Sequence, residues 1–276
     1  MSDEEPSTPA AWQPLTFRGV AAFAHARTSR LLLVQLCVAI AVSMGVLFFL
    51  SHAWTPTVTT AIRALPAVGS VRDGKLDWHG DDPVILAESP LLAIIVDTGG
   101  SRATGQVADL QLELGADELR FVALLGVLSL PYPEGWEIAV NRTALDPWWG
   151  AWNPVLRAVA VLVTIITLLV LWAVMAWLYA PVVWLAVFFT DRVAGWRDCW
   201  RMAGAALMPG ALLMGGGIVL YAVERISLVH LGFALALHLV LGWIYMIGAP
   251  FGLPRALPPP AGAGKNPFVP GAGPAP

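Results

Sequence analysis

Charged side chains are scarce in this sequence: only 13% of its residues are Asp, Glu, Lys or Arg, whereas 57% are hydrophobic. The mean hydropathy of +0.69 is higher than that of ordinary soluble domains. The formal net charge is −3, and Lys and Arg do not cluster into the basic stripe that nucleic-acid binding requires. The composition therefore predicts the lipid bilayer as a partner and argues against nucleic acid.

Cysteine is also rare, with only Cys37 and Cys199 in the chain. The sequence lacks a Gly-rich phosphate loop, a His-Glu-x-x-His motif, and a Ser or Cys nucleophile with an evident partner. His79 lies among acidic residues, but a flexible polar turn explains that pattern better than a metal site does. We therefore predict a protein that is not an enzyme, with no catalytic residues, no cofactor and no metal ion.

Four long apolar runs are present, and each matches a hydrocarbon core of about 30 Å at about 1.5 Å per helical residue. Ser51-His52-Ala53 resembles a signal-peptide cleavage site, but signal cores are only about 7 to 15 residues long, so the first run predicts an uncleaved anchor. The second run is long enough that it must tilt, protrude or break near Pro181. The predicted spans are residues 31–50, 155–178 with a continuation to 190, 202–223 and 226–247.

Arginine placement predicts the orientation of these spans. Basic residues are concentrated in segment 1–30 and in the loop 191–201, which places both in the cytoplasm. An even number of spans returns the tail 254–276, rich in Pro, Gly and Ala and predicted to be disordered, to the same side. Tryptophans are expected at the two membrane interfaces: Trp148, Trp149 and Trp152 outside, Trp196 and Trp200 inside.

Segment 51–154 is then extracytoplasmic, and it contains more than twice as many acidic as basic residues. The pattern predicts a short helix at 57–65, strands at 71–78 around Asp73-Gly74, a strand at 91–96, and a hairpin of 110–114 with 119–125. The predicted fold class is thus an integral membrane α-helical protein with four transmembrane helices and a small α+β domain between helices 1 and 2. We interpret the acidic surplus as a solvated surface.

The string Asp97-Thr98-Gly99-Gly100 follows an apolar strand and resembles the catalytic turn of aspartic proteases. Those enzymes share one proton between two such carboxylates, whereas this chain contains one copy. Leu124-Leu125-Gly126 could be the supporting element, but it follows Asp97 too closely. We therefore predict a structural turn in which Asp97 accepts hydrogen bonds from the following backbone.

Small residues are frequent in the third span, which also contains Pro209. Residues of this kind let helices approach closely in a membrane, so we predict that they face neighbouring helices and that spans three and four form a tight hairpin. The predicted packing residues are Ala206, Gly210, Ala211, Gly215, Gly216 and Gly217.

The order of these parts resembles a bacterial polytopic membrane-protein family associated by name with maltodextrin utilisation and distantly similar to Yip-type membrane proteins. The resemblance lies in Asp73-Gly74-Lys75-Leu76, in Ile94-Ile95-Val96-Asp97-Thr98 and in the stretch from Trp200-Arg201-Met202 to Leu207-Met208-Pro209. It implies a location in the bacterial inner membrane and supplies no catalytic residues.

Three functions are consistent with these patterns. The leading expectation is an accessory or sensory membrane protein whose external domain binds an envelope partner or ligand, with another membrane protein or a second copy as a further partner. The alternatives are an oligomeric transporter or channel component, and a membrane-tethered aspartic hydrolase that uses Asp97.

Overall fold

A computed structural model describes residues 13–100 and 105–256. This part of the chain is mostly helical and contains four helical segments that are long and apolar enough to cross a membrane, together with a β-sheet region between the first two. The predicted helix number and the inserted sheet region are confirmed at this level. The four segments are Thr28–Ala64, Arg142–Phe189, Trp196–Ala222 and Leu228–Gly252.

The first segment is longer than its predicted span of 31–50. After the short helix α1 (Phe17–Ala22), helix α2 (Thr28–Phe49) continues through a π-helical turn, Leu50–Trp54, into α3 (Thr55–Ala64). Pro56 lies directly after the π-helical turn, at the start of α3, and the helix continues past it. Residues 51–64, assigned to the external domain from sequence, therefore extend the first helix.

The second segment is one helix, α4 (Arg142–Phe189), of 48 residues. It begins well before the predicted residue 155 because Asn141 caps it, its side-chain oxygen accepting the Ala144 N–H at 2.9 Å. The helix also continues through Pro181, where a break was one of the expected solutions. At about 1.5 Å per residue it is roughly 72 Å long, so its first turns project beyond any bilayer core.

The third segment consists of α5 (Trp196–Ala206) and α6 (Met208–Ala222), and the fourth is α7 (Leu228–Gly248). The predicted loop 191–201 is shorter in the structure, because Asp198 caps α5 by accepting the Gly195 N–H at 2.8 Å. The interruption at Leu207 precedes Pro209, which has no N–H to donate. Gln35 Nε2 donates to the Gly204 carbonyl at 3.2 Å and so satisfies backbone beside the break.

The small residues of α6 lie mostly between helices. A Cβ on Gly210 would meet His238 at 2.6 Å, and one on Gly215 would meet Val42 at 3.4 Å. Gly217 similarly faces Ala234 of α7, while Ala206 and Ala211 are buried.

Gly216 differs from the expectation that it packs against protein, because a Cβ there would meet no described atom within 4 Å. It borders a groove of about 320 Å³ between α2 and α6. The reason is the helical period of 3.6 residues, which turns its neighbours Gly215 and Gly217 toward α2 and α7 and leaves Gly216 between them.

This difference supplies a matched pair of substitutions. Gly210→Leu is expected to reduce the yield of folded protein several-fold, because the new side chain overlaps both the ring and the backbone of His238. Gly216→Leu is expected to accumulate and melt like the parent. Detergent-solubilised yield and thermal unfolding of both variants test this, and equal behaviour of the pair would contradict the packing.

The described residues of the β-region form two sheets. One has three strands in the order β2-β1-β8, and the other has five in the order β3-β4-β5-β6-β7. The strands are β1 (Gly69–Arg72), β2 (Lys75–Trp78), β3 (Val84–Glu88), β4 (Leu92–Val96), β5 (Leu110–Leu114), β6 (Glu118–Ala123), β7 (Gly126–Pro131) and β8 (Glu137–Ala139).

The predicted turns and central strands have the expected places. Asp73 and Gly74 both have positive φ, at 48° and 75°, which is the conformation of a tight two-residue hairpin turn. Strand β4 pairs with β5 in parallel, so the chain crosses over between the end of β4 and the start of β5, and β5 pairs with β6 as the predicted hairpin. Strands β3, β7 and β8 were not predicted.

The five-stranded sheet has one apolar and one polar face. Leu92, Ile94 and Val96 point to the apolar face and share a core with Ala61 and Leu65 at the end of the first helical segment. The opposite face includes buried polar side chains of β5 and β6.

Candidate functional site

Asp97 follows β4 and is only 3% exposed. Its backbone N–H donates to the Leu114 carbonyl at 3.0 Å, which continues the pairing of β4 with β5. The next residue, Thr98, donates its backbone N–H to Asp82 Oδ1 at 3.0 Å and its hydroxyl to the same carboxylate. The acceptor for Thr98 is therefore Asp82. The predicted hydrogen bonds from the following backbone to Asp97 stay a prediction, because the turn continues into residues outside the described part of the chain. A Cβ on Gly99 or Gly100 would meet no atom of the described residues within 4 Å.

Arg120 lies at the centre of the polar face. Its Nη2 is 4.0 Å from Asp97 Oδ2, and its Nε is 3.2 Å from Glu113 Oε2 and 3.7 Å from Glu118 Oε1. Within the described residues the Nε makes ion pairs but no hydrogen bond. Within the described residues, the Asp97, Glu113 and Glu118 carboxylates thus lie around the Arg120 guanidinium. We call these four side chains the Arg120 cluster.

Gln111 connects this cluster to the crossover above it. Its Nε2 donates to Glu113 Oε1 at 2.6 Å and to the Gly105 carbonyl at 3.0 Å, while its Oε1 accepts the Val107 N–H at 3.0 Å. The side chain is fully buried. Both ends of the amide are satisfied, so Gln111 holds this part of the crossover against the sheet.

A cavity of about 280 Å³ lies beside the cluster. Strands β5 and β6 contribute Glu113, Glu118 and Arg120 to its lining, and β7 contributes Val127 and Ser129. The cavity therefore extends from the buried charges to the last described strand of the sheet.

Strand β7 is an edge strand, and all six of its residues are exposed. Leu128 and Leu130 point toward the apolar side of the sheet, yet they are 60% and 46% exposed. Exposed edges with apolar side chains are sites where another strand can pair, and soluble proteins usually protect them.

The ladder alternation shows which β7 backbone groups face outward. Tyr132 N–H donates to the Asp117 carbonyl at 3.0 Å, which makes that pair a hydrogen-bonded one. In an antiparallel ladder such pairs alternate with non-bonded ones, so the N–H groups of Ser129 and Val127 point away from β6. Pro131, which has no N–H, also lies at an outward position and costs no bond.

Tyr132 fixes the distal end of this hairpin. Its hydroxyl donates to the Gly115 carbonyl at 3.2 Å. Burial, with a smaller effect of the nearby Asp117 carboxylate, raises the pKa of Tyr132 to about 12. The phenol therefore stays a neutral donor over the physiological pH range.

The site bears on the aspartic-hydrolase alternative. Such catalysis requires two adjacent carboxylates that share a proton, whereas the group identified beside Asp97 is the Arg120 guanidinium. Across residues 13–100 and 105–256, no group of three or more His, Cys, Asp or Glu side chains could hold a metal ion.

The predicted interface tryptophans differ in their surroundings. Trp148 and Trp152 stack on one another with ring centroids 6.4 Å apart and are about half exposed. Trp149 Nε1 donates to Thr59 Oγ1 at 2.9 Å, which joins the projecting turns of α4 to α3. Trp196 is exposed, and Trp200 packs against the helix-bundle core.

Four residues of the site were missed from sequence: Gln111, Glu113, Glu118 and Arg120. The alternation of Leu110-Gln111-Leu112-Glu113-Leu114 places the two polar side chains on one face of a strand. Such an alternation usually indicates a strand with its polar face in solvent. Only the structure shows that Gly105 and Val107 lie against the polar face of this strand.

No protein-family model, curated protein or solved structure matches this chain. The class that the structure itself defines is a protein with four apolar helices of membrane-spanning length and a mixed β-sheet region between the first two.

Proposed function

We propose that this chain is a non-enzymatic sensory or accessory protein of the bacterial inner membrane that binds an extended segment of an envelope protein along β7. In this proposal the N- and C-termini are cytoplasmic and the sheet region is outside. The orientation rests on the arginine distribution, and the bacterial location on the family resemblance. The observation that carries the binding proposal is the apolar edge strand β7, all six of whose residues are exposed.

The two faces of β7 define the segment that would fit. On one face, Leu128 and Leu130 offer apolar contacts. On the other, the short Ser129 side chain opens toward the cavity, whose lining includes the Glu113 and Glu118 carboxylates beside Arg120. An added strand that alternates apolar and basic side chains would satisfy both faces, while its backbone pairs with the outward groups of β7.

Strand β5 provides a physical connection from this site to the helices. Its side chains Gln111 and Glu113 belong to the site, and Asp109, directly before it, accepts the Tyr221 hydroxyl of α6 at 2.8 Å. Binding that shifts the Arg120 cluster therefore acts on β5, and Asp109, directly before this strand, contacts the helix bundle. This continuity supports a sensory role over a purely structural one.

Cysteine footprinting tests the proposal. Val127→Cys and Ala116→Cys are made one at a time in a chain that lacks Cys37 and Cys199. Both positions are exposed. Ala116 lies in the turn between β5 and β6, whereas Val127 lies near the turn between β6 and β7, at the opposite end of β6. A membrane-impermeant thiol reagent should label both in intact cells at native expression. Val127→Cys should react several-fold more slowly in cells than in purified protein, whereas Ala116→Cys should react equally in both.

Two results would contradict this. Equal rates for Val127→Cys in cells and in purified protein would mean that β7 has no partner. Labelling of Ser2→Cys in intact cells, with both sheet positions silent, would reverse the orientation.

A further inference from the structure

The turn between β6 and β7 consists of two leucines, Leu124 and Leu125, which are 62% and 100% exposed. Neither leucine has a positive φ, whereas Gly126, directly after them, has a φ of 127°, so the glycine meets the conformational demand of this turn. Leucine gains nothing from a turn conformation and loses free energy when its side chain is left in water. Turn chemistry therefore does not account for this pair.

The register of the sheet shows where the leucine turn points. Leu92 pairs with Leu110, Leu110 with Ala123, and Ala123 with Gly126. These residues form one end of the sheet, at the start of β4 and β5, and the leucine turn extends that end beyond Ala123. The opposite end of the β5–β6 hairpin is the turn that contains Ala116.

The end of the sheet that contains the leucine turn is also the end that touches the helix bundle. Tyr221, at the last turn of α6, donates to Asp109, which directly precedes β5. Leu91, which precedes β4, is buried in one cluster with Tyr221 and with Ala53 of the first helical segment. The leucine turn joins β6 and β7, which lie one and two strands away from β5 in the sheet. The turn is therefore about 5 to 10 Å to the side of the Asp109 contact.

We propose that Leu124 and Leu125 insert into the interfacial region of the same bilayer that the four helices cross. Beside the bundle, at the level where α6 ends, the surrounding medium is lipid, and two exposed leucines lose their contact with water there. The leucine turn then becomes a second attachment, which fixes the angle of the sheet and the height of β7 above the membrane. This inference rests on the membrane placement proposed above, but not on partner binding.

Depth-dependent fluorescence quenching in nanodiscs tests this inference. An environment-sensitive fluorophore is attached to Leu125→Cys in the full chain lacking Cys37 and Cys199, with Leu124→Cys as a second position. Ala116→Cys is the control for water, and Leu162→Cys, on the exposed surface of α4, is the control for the bilayer interior. The quenchers are nitroxides on the lipid acyl chain, placed either shallow or deep.

The expected result is a blue-shifted emission at positions 124 and 125, with shallow quenching at least about twofold stronger than at Ala116, and strong deep quenching at Leu162. If Leu162 is quenched but positions 124 and 125 behave like Ala116, the inference is wrong while the membrane placement stands. Blue-shifted emission without lipid quenching would instead indicate a protein contact and would also overturn it. Absence of quenching at Leu162 would contradict the membrane placement itself.

Discussion

Replacing Arg120 by Met is expected to lower the local free energy of unfolding of β4, β5 and β6 by about 3 to 5 kcal/mol. The substitution removes the cation that lies 3.2 Å from the Glu113 carboxylate, a residue only 8% exposed. Breaking a buried ion pair by deleting one partner leaves uncompensated buried charge and costs this much in other proteins. Hydrogen exchange of the strand amides in the full protein measures the change.

Arg63→Met is the matched control. Arg63 also faces a carboxylate, Asp146, at 4.0 Å, but both side chains are largely exposed. Such surface pairs contribute little, so exchange in the sheet should change by less than about 0.5 kcal/mol. Equal effects of the two substitutions would show that the Arg120 cluster is not a buried electrostatic centre.

Replacing Ser129 by Pro is expected to prevent the partner strand from protecting Val127→Cys against thiol labelling, while the fold is preserved. The Ser129 N–H points away from β6, so Pro removes no ladder bond, as Pro131 already demonstrates two residues on. An incoming strand loses one hydrogen bond and meets the Pro ring, which together should weaken binding by about tenfold or more. The thiol footprint at Val127→Cys measures this in intact cells.

Ser129→Thr keeps the N–H and is the control for side-chain change at the same position. It should retain the slow labelling of Val127→Cys in cells. Slow labelling that persists in the Ser129→Pro variant would mean that the protection does not come from strand pairing. Hydrogen exchange in β6 should be the same in both variants, because the inward bonds are untouched.

Much of the architecture was predictable because long apolar runs and turn residues have local causes. Leu31 to Leu50 is long enough to cross a bilayer whatever it contacts, and Asp73-Gly74 favours a tight turn wherever it occurs. The helix ends were less accurate. The capping bonds at Asn141 and Asp198, and the tolerated Pro56, move the boundaries by several residues without changing the apolar pattern.

The site was less predictable because it depends on contacts between distant residues. Asp97 was singled out from its motif, but its partner Arg120 lies 23 residues further along the chain and was not distinguished from a surface arginine. Strand β7 was missed since Gly126 to Pro131 includes Ser129 and ends in proline, which weakens an alternating pattern. Gly216 shows the same limit in the bundle, where composition does not distinguish a helix face in contact from one in a groove.

Photo-crosslinking from β7 tests the central claim most directly. A benzophenone amino acid at position 127, with the same group at position 116 as the control, is activated in intact cells at native expression. The account predicts a product at position 127 that joins this chain to a different envelope protein, that is absent at position 116, and that disappears in the Ser129→Pro variant. A product made only of two copies of this chain, or none above the position 116 control, would contradict it.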